Sequence, residues 1–264
     1  MLPVYKAIGI ERAPIRGGSS HPCIMQVEDE QGELMPWQVV KLYKREHQTA
    51  TLREVLGNVL ASEFDLAAPP AALVELDWPI LKELRLYDPV YQNKNLEPGV
   101  YFATEYLEGG LDFSLATHIS TVTPWQVEQI FAFDVLLRNA DRRTGKPNLF
   151  LYHGQPMLID HELSLNIAQP FHNYYNQHNH WDFIREGPHL FLYALRARYK
   201  KSPFRIDGFA EFIRTLNPQR LFPYATQLTE YECDSTQIGP IVDYLNGVKS
   251  QPDRFLKLVN HLLQ

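Results

Sequence analysis

Along the first hundred residues, apolar positions mostly come in short, strand-like runs. Residues 22–27 and 37–43 read as β-strands on either side of the polar stretch Glu28-Asp29-Glu30-Gln31-Gly32-Glu33, which predicts a hairpin. Its second strand carries Lys41 directly after two valines. One clear helix follows. Leu52, Val55, Leu56, Val59, Leu60 and Phe64 recur at the spacing of a single helical face. Thr51 and Glu54 have the spacing of a capping box at its start. Residues 67–70 end it, and residues 71–76 and 100–107 read as further strands before Glu108-Gly109-Gly110.

Beyond that Gly-Gly joint the periodicity turns helical. Thr123-Pro124-Trp125-Gln126 is a strong helix start, with a Thr cap, Pro at the first position and Gln at the third. The helix is expected to reach about residue 137. Residues 149–152 and 156–159 read as two short strands around His153-Gly154. From about residue 180 the pattern suggests amphipathic helices broken by prolines at 188, 203, 218, 240 and 252. The expected organisation is α+β, with a strand-rich lobe over 1–107 and a mainly helical lobe over 108–264.

Composition narrows the class. The chain has 264 residues, 45% of them apolar and 21% charged, as in ordinary globular proteins. A formal net charge of -6 argues against nucleic acid as a partner. Cys23 and Cys233 are too few and too far apart for a disulfide framework, which suits a reducing cytoplasm. The N-terminus does not read as a signal peptide, and no apolar run is long enough to span a bilayer.

The chemistry concentrates in Phe133 to Leu163. Asp141 lies just past a helix, Asn148 begins one short strand and Asp160 ends the next. Phosphoryl transfer needs this set: one carboxylate to orient or deprotonate the attacking group, and an amide oxygen with a second carboxylate to hold Mg²⁺. A tight hairpin would bring Asn148 and Asp160 side by side.

The run Asn139-Ala140-Asp141-Arg142, Lys146-Pro147-Asn148-Leu149, Ile159-Asp160-His161 resembles the HipA-like kinases, a branch of the protein-kinase-like superfamily. The resemblance implies a two-lobed kinase fold that binds ATP and Mg²⁺. It implies that Asp141 is the catalytic-loop aspartate and that Asn148 and Asp160 are metal ligands. Lys41 would hold the phosphates and pair with Glu54, with Glu63 as the fallback partner. Glu105, Tyr106 and Leu107 would form the hinge that meets adenine. Gly17, Gly18, Ser19 and Ser20, in Arg-Gly-Gly-Ser-Ser, would cover the phosphates. Asp141 and Asn148 are seven apart, against about five in ordinary protein kinases, and His161-Glu162 replaces Phe-Gly after Asp160.

Several residues carry plainer readings. Arg142 and Arg143 either contact phosphate or pair with acids such as Glu162. Asp134, inside an apolar helix, is expected to brace the loop. His172, His178 and His180 suit a polar loop better than a metal site. Arg196, Arg198, Lys200, Lys201 and Arg205 form either a solvated helix end or a docking patch. The expected activity is ATP-dependent transfer of a phosphoryl group to a hydroxyl, on Ser or Thr of an unidentified protein, with a regulatory partner possible. An inactive nucleotide-binding scaffold, a lipid or small-molecule acceptor, and transfer of AMP stay open as alternatives.

Overall fold

The computed structural model describes residues 1–13, 20–43, 49–176, 181–200 and 206–264. It divides into two compact units. One comprises Met1–Leu56, Pro69–Glu108 and Pro223–Ser235, and the other Gly57–Ala68, Gly109–Phe222 and Thr236–Gln264. Neither is a single stretch of chain, as a division into 1–107 and 108–264 would have it.

The first unit is built on a closed five-stranded barrel. Strands β1 (Val4–Arg12), β2 (Cys23–Glu28), β3 (Leu34–Val40), β4 (Ala71–Leu76) and β5 (Gly99–Glu105) pair in the order β1-β2-β3-β5-β4, and a parallel β1–β4 pairing closes the ring. The expected hairpin is present: Glu28 faces Leu34, and the Asp29 carboxylate accepts the backbone N–H groups of Gln31 and Glu33 at 2.9 Å. Gly32 takes φ 80 there, a conformation glycine adopts without steric cost. Strand β3 stops one residue short of Lys41, correcting the expectation that the strand carries it. The Lys41 N–H still bonds the Phe102 carbonyl at 2.9 Å, so its position relative to β5 is fixed.

Helix α1 (Thr49–Glu63) begins two residues before the expected cap. Thr51 therefore lies inside the first turn, and the capping-box reading is overturned. A second helix, α2 (Trp78–Tyr87), was not expected. Its Asp77 side chain caps the Ile80 N–H at 3.1 Å, and Pro79 sits in the first turn. Ile80, Leu81 and Leu84 of α2 join Met25, Val27, Val40 and Val74 in the barrel core.

The second unit holds β6 (Leu111–Asp112), α3 (Leu115–His118), α4 (Pro124–Leu137), β7 (Leu149–Tyr152) and β8 (Gln155–Leu158). After them come α5 (Phe171–Asn176), α6 (Phe183–Glu186), α7 (Leu192–Arg198) and α8 (Asp207–Thr215). Of the remaining helices, α10 (Ile238–Ser250) and α11 (Pro252–Leu263) also belong to this unit, whereas α9 (Phe222–Glu230) lies almost wholly in the first. Thr123 caps α4 in a full capping box, as expected, and every residue from Val127 to Leu137 is buried. Pro240 sits in the first turn of α10 and does not interrupt it. Phe64 packs on Phe133, Phe209 and Phe212 within this core. Among the described residues no helix is long and apolar enough to cross a membrane.

Candidate active site

In the second unit the site grows from the end of α4. Asp134 is fully buried on that helix. A carboxylate in such a place must be satisfied or protonated. Here it is satisfied: one oxygen accepts from the Asn139 amide at 2.9 Å, and the other meets Arg142 Nε at 2.6 Å and His189 Nε2 at 2.8 Å. Burial alone would raise its pKa, but Arg142 and His189 outweigh it and hold the carboxyl down at about 2. The Phe191 N–H donates to His189 Nδ1 at 3.2 Å, which fixes the ring's orientation.

From this hub the loop is set link by link. Arg138 ends α4 in the left-handed region. The Asn139 side-chain oxygen accepts the Asp141 N–H at 3.0 Å. Arg142, 1% exposed, turns inward to the carbonyl of Asn148. It is thus a structural cation, and its acid is Asp134 rather than Glu162. Arg143 is half exposed and bonds the Ala140 carbonyl at 2.9 Å.

These links bring the expected residues of this unit together. Asp141 Oδ2 accepts from the Asn148 amide at 3.0 Å and from Lys146 Nζ. The same ammonium lies 3.2 Å from Asp160 Oδ2. Asn148 and Asp160 flank the β7–β8 hairpin, where the Ile159 N–H bonds the Asn148 carbonyl at 3.2 Å. Both sit at positive φ, 47 and 64. Asn and Asp tolerate that region best after glycine, and strained backbone clusters where side chains must be aimed. Next to Asp160, His161 is buried and fits against Gly57 so closely that a Cβ there would stand 2.4 Å from the His161 Cβ and Cγ.

In the first unit, Lys41 forms an ion pair with Glu54 on α1. Tyr43 also donates to Glu54, at 2.8 Å, and Glu54 is 1% exposed. The fallback Glu63 instead lies 3.7 Å from Arg220. At the expected hinge, the Glu105 N–H is taken by the Pro70 carbonyl at 2.9 Å and the Tyr106 N–H by Trp37 at 2.7 Å. Pro70 has no N–H to return. Gly17, Gly18 and Ser19 lie outside the described residues, while Ser20 is buried.

A sequence profile described as HipA-like kinase matches residues 10–202. The chain belongs to the HipA-like kinase family. No functionally curated protein matches it. Among solved structures it is similar to the Helicobacter pylori proinflammatory kinase CtkA, with a TM-score of 0.53 and 11% identity, over 100% of this chain and 98% of that one. The similarity supports a common fold.

Three residues of this HipA-like kinase escaped the sequence reading. Lys146 stood inside the quoted motif without a role. Arg143 and Lys146 exchange backbone hydrogen bonds of 3.0 and 3.1 Å around Thr144-Gly145, and this tight turn accounts for the long Asp141–Asn148 spacing. His189 lies 55 residues from the aspartate it serves, and no local signal joins them. Lys94, almost fully buried, donates to the carbonyls of Ser20 and Leu42 at 2.6 and 2.9 Å, tying the segment before β2 to the residue after Lys41. Of the histidine group, His172 is exposed on α5, and His178 and His180 lie outside the described residues. Of the basic group, Arg196 bonds the Leu262 carbonyl at 3.1 Å and Arg198 lies 3.3 Å from Glu128; Lys201 and Arg205 lie outside the described residues.

Proposed function

We propose that this HipA-like kinase transfers the γ-phosphoryl group of ATP to a Ser or Thr hydroxyl of a protein. In this reading the barrel unit serves as the N-lobe and the helical unit as the C-lobe of a protein-kinase-like fold. One observation carries it: Asp141, Asn148 and Asp160 converge on one loop and hairpin, braced by the buried Asp134 hub.

The donor set suits Mg²⁺, which prefers oxygen ligands. Asn148 gives its amide nitrogen to Asp141, so its amide oxygen is the atom left for a cation, beside the Asp160 carboxylate. Bound there with ATP, Mg²⁺ would neutralise phosphate charge. Lys41, paired with Glu54, which also accepts from Tyr43, would hold the phosphates, with Gly17, Gly18, Ser19 and Ser20 as the loop that would cover them. The Glu105 carbonyl and the Leu107 N–H, on either side of Tyr106, would meet the adenine. Asp141 Oδ2 is engaged by Lys146 and Asn148, whereas at Oδ1 the nearest cation, Arg143, is 3.9 Å away. Oδ1 is thus the atom that orients the attacking hydroxyl and accepts its proton. Catalysis would come from positioning and charge neutralisation. Two free cysteines fit a reducing cytoplasm as its location.

The test is transfer from labelled ATP into a cell extract, with Asp141→Asn as control. The expected loss in the variant is about 10²–10⁴-fold, the range of a general base, with the ATP–Mg²⁺ thermal shift retained. If the wild type shows that shift without transfer or autophosphorylation across metals and acceptors, the protein is a scaffold and the proposal fails. A product heavier by AMP would overturn the phosphoryl assignment. A labelled product that floats with liposomes would overturn the protein acceptor.

A further inference from the structure

The two carboxylates of the proposed site, Asp141 and the metal ligand Asp160, are already bridged by a cation of the chain itself. Lys146 Nζ bonds Asp141 Oδ2 and lies 3.2 Å from Asp160 Oδ2. This is not a loose surface contact. The lysine backbone is pinned in both directions to Arg143 across the Thr144-Gly145 turn, and Pro147 follows it. Two residues more than the usual loop length are used, and their effect is to project this side chain toward both carboxylates. The Lys146 side chain is 39% exposed, which leaves it room to move. Arg143 adds a second, weaker positive charge 3.9 Å from Asp141 Oδ1.

We propose that Lys146 is a tethered counter-cation that, anchored on Asp141, competes with a divalent metal for Asp160, so that metal alone binds weakly and the phosphates of a nucleotide, by drawing the ammonium away, let the metal in. This rests on the reading of Asn148 and Asp160 as metal ligands. A divalent ion beside Asp160 meets the ammonium at short range, where like charges repel strongly. A nucleotide brings several negative charges and reverses the balance: Lys146 then becomes a ligand of the phosphates and no longer a rival of the metal. The lysine would thus make metal and nucleotide binding depend on each other.

The experiment is a titration of the full chain with Mn²⁺, read by calorimetry or electron paramagnetic resonance, with and without ADP. Without nucleotide, Lys146→Gln should bind Mn²⁺ about tenfold more tightly than wild type, a factor worth roughly 1.4 kcal/mol. Lys146→Arg should behave as wild type, and adding Asp160→Asn to Lys146→Gln should abolish the binding. With ADP the advantage of Lys146→Gln should vanish or invert, an outcome that a merely structural lysine would not give. If circular dichroism shows Lys146→Gln unfolded, Lys146→Met takes its place. Equal Mn²⁺ affinity in wild type and Lys146→Gln, with Asp160→Asn still abolishing it, would overturn the counter-cation role and leave the metal site standing. Absence of Mn²⁺ binding in every variant, with and without ADP, would sink the metal site as well.

Discussion

The two units of this kinase each hold a buried carboxylate, and they hold it differently. Glu54 pairs with Lys41, which remains 12% exposed, and a tyrosine hydroxyl shares the contact. Asp134 and Arg142 are both fully buried, and the acid binds an amide, a guanidinium and an imidazole together. The first leaves its lysine end partly exposed. The second is a closed polar network whose members have no water to fall back on, so its loss should be far more damaging. The pair at the barrel keeps one end exposed, and the brace beneath the loop is sealed.

The contrast can be broken most easily at Asp134. Asp134→Ala strands Arg142 in the interior, and the expected cost is about 3–5 kcal/mol of unfolding free energy, read from urea denaturation. The same acid sets a pH signature. Its folded pKa is depressed to about 2. Its stabilisation is therefore complete above the ordinary carboxyl range and drains away as pH falls from about 4 through about 2. The wild type should lose this increment on acid titration, and Asp134→Asn should not. Glu54→Gln should cost less, about 1–2 kcal/mol, because Lys41 can rehydrate, and it should raise the KM for ATP. If it costs as much as Asp134→Ala, the comparison fails. The smallest effect is expected at the Glu63–Arg220 pair, 39% and 70% exposed: Glu63→Ala should shift stability by no more than about 0.5–1 kcal/mol.

Legibility in the sequence followed the range of each interaction. Helix α4 and the β7–β8 hairpin are governed by neighbours in the chain, a Thr cap with Pro and Gln in one case and His153-Gly154 in the other, and both were read correctly. The start of α1 was misplaced because Thr51 and Glu54 have cap spacing, while Glu54 is in fact claimed by Lys41 and Tyr43, at least 11 residues away. Helix α2 carried a usable signal in Asp77-Trp78-Pro79 that the surrounding strand pattern obscured. Closure of the barrel through β1 and β4, and the service of His189 to Asp134, join distant residues, and no local pattern announces either.

Gly57 has a consequence beyond its own helix. Glycine weakens a helix interior by about 1 kcal/mol relative to alanine, yet its missing side chain is what admits the ring of His161. The two positions are thus bound by a size rule. Because the clash reaches the His161 Cβ, a relative that carries alanine or serine at the first must carry glycine at the second or hold the two segments further apart, and an alignment of the family should display that exchange as correlated change between two sites 104 positions apart in this chain.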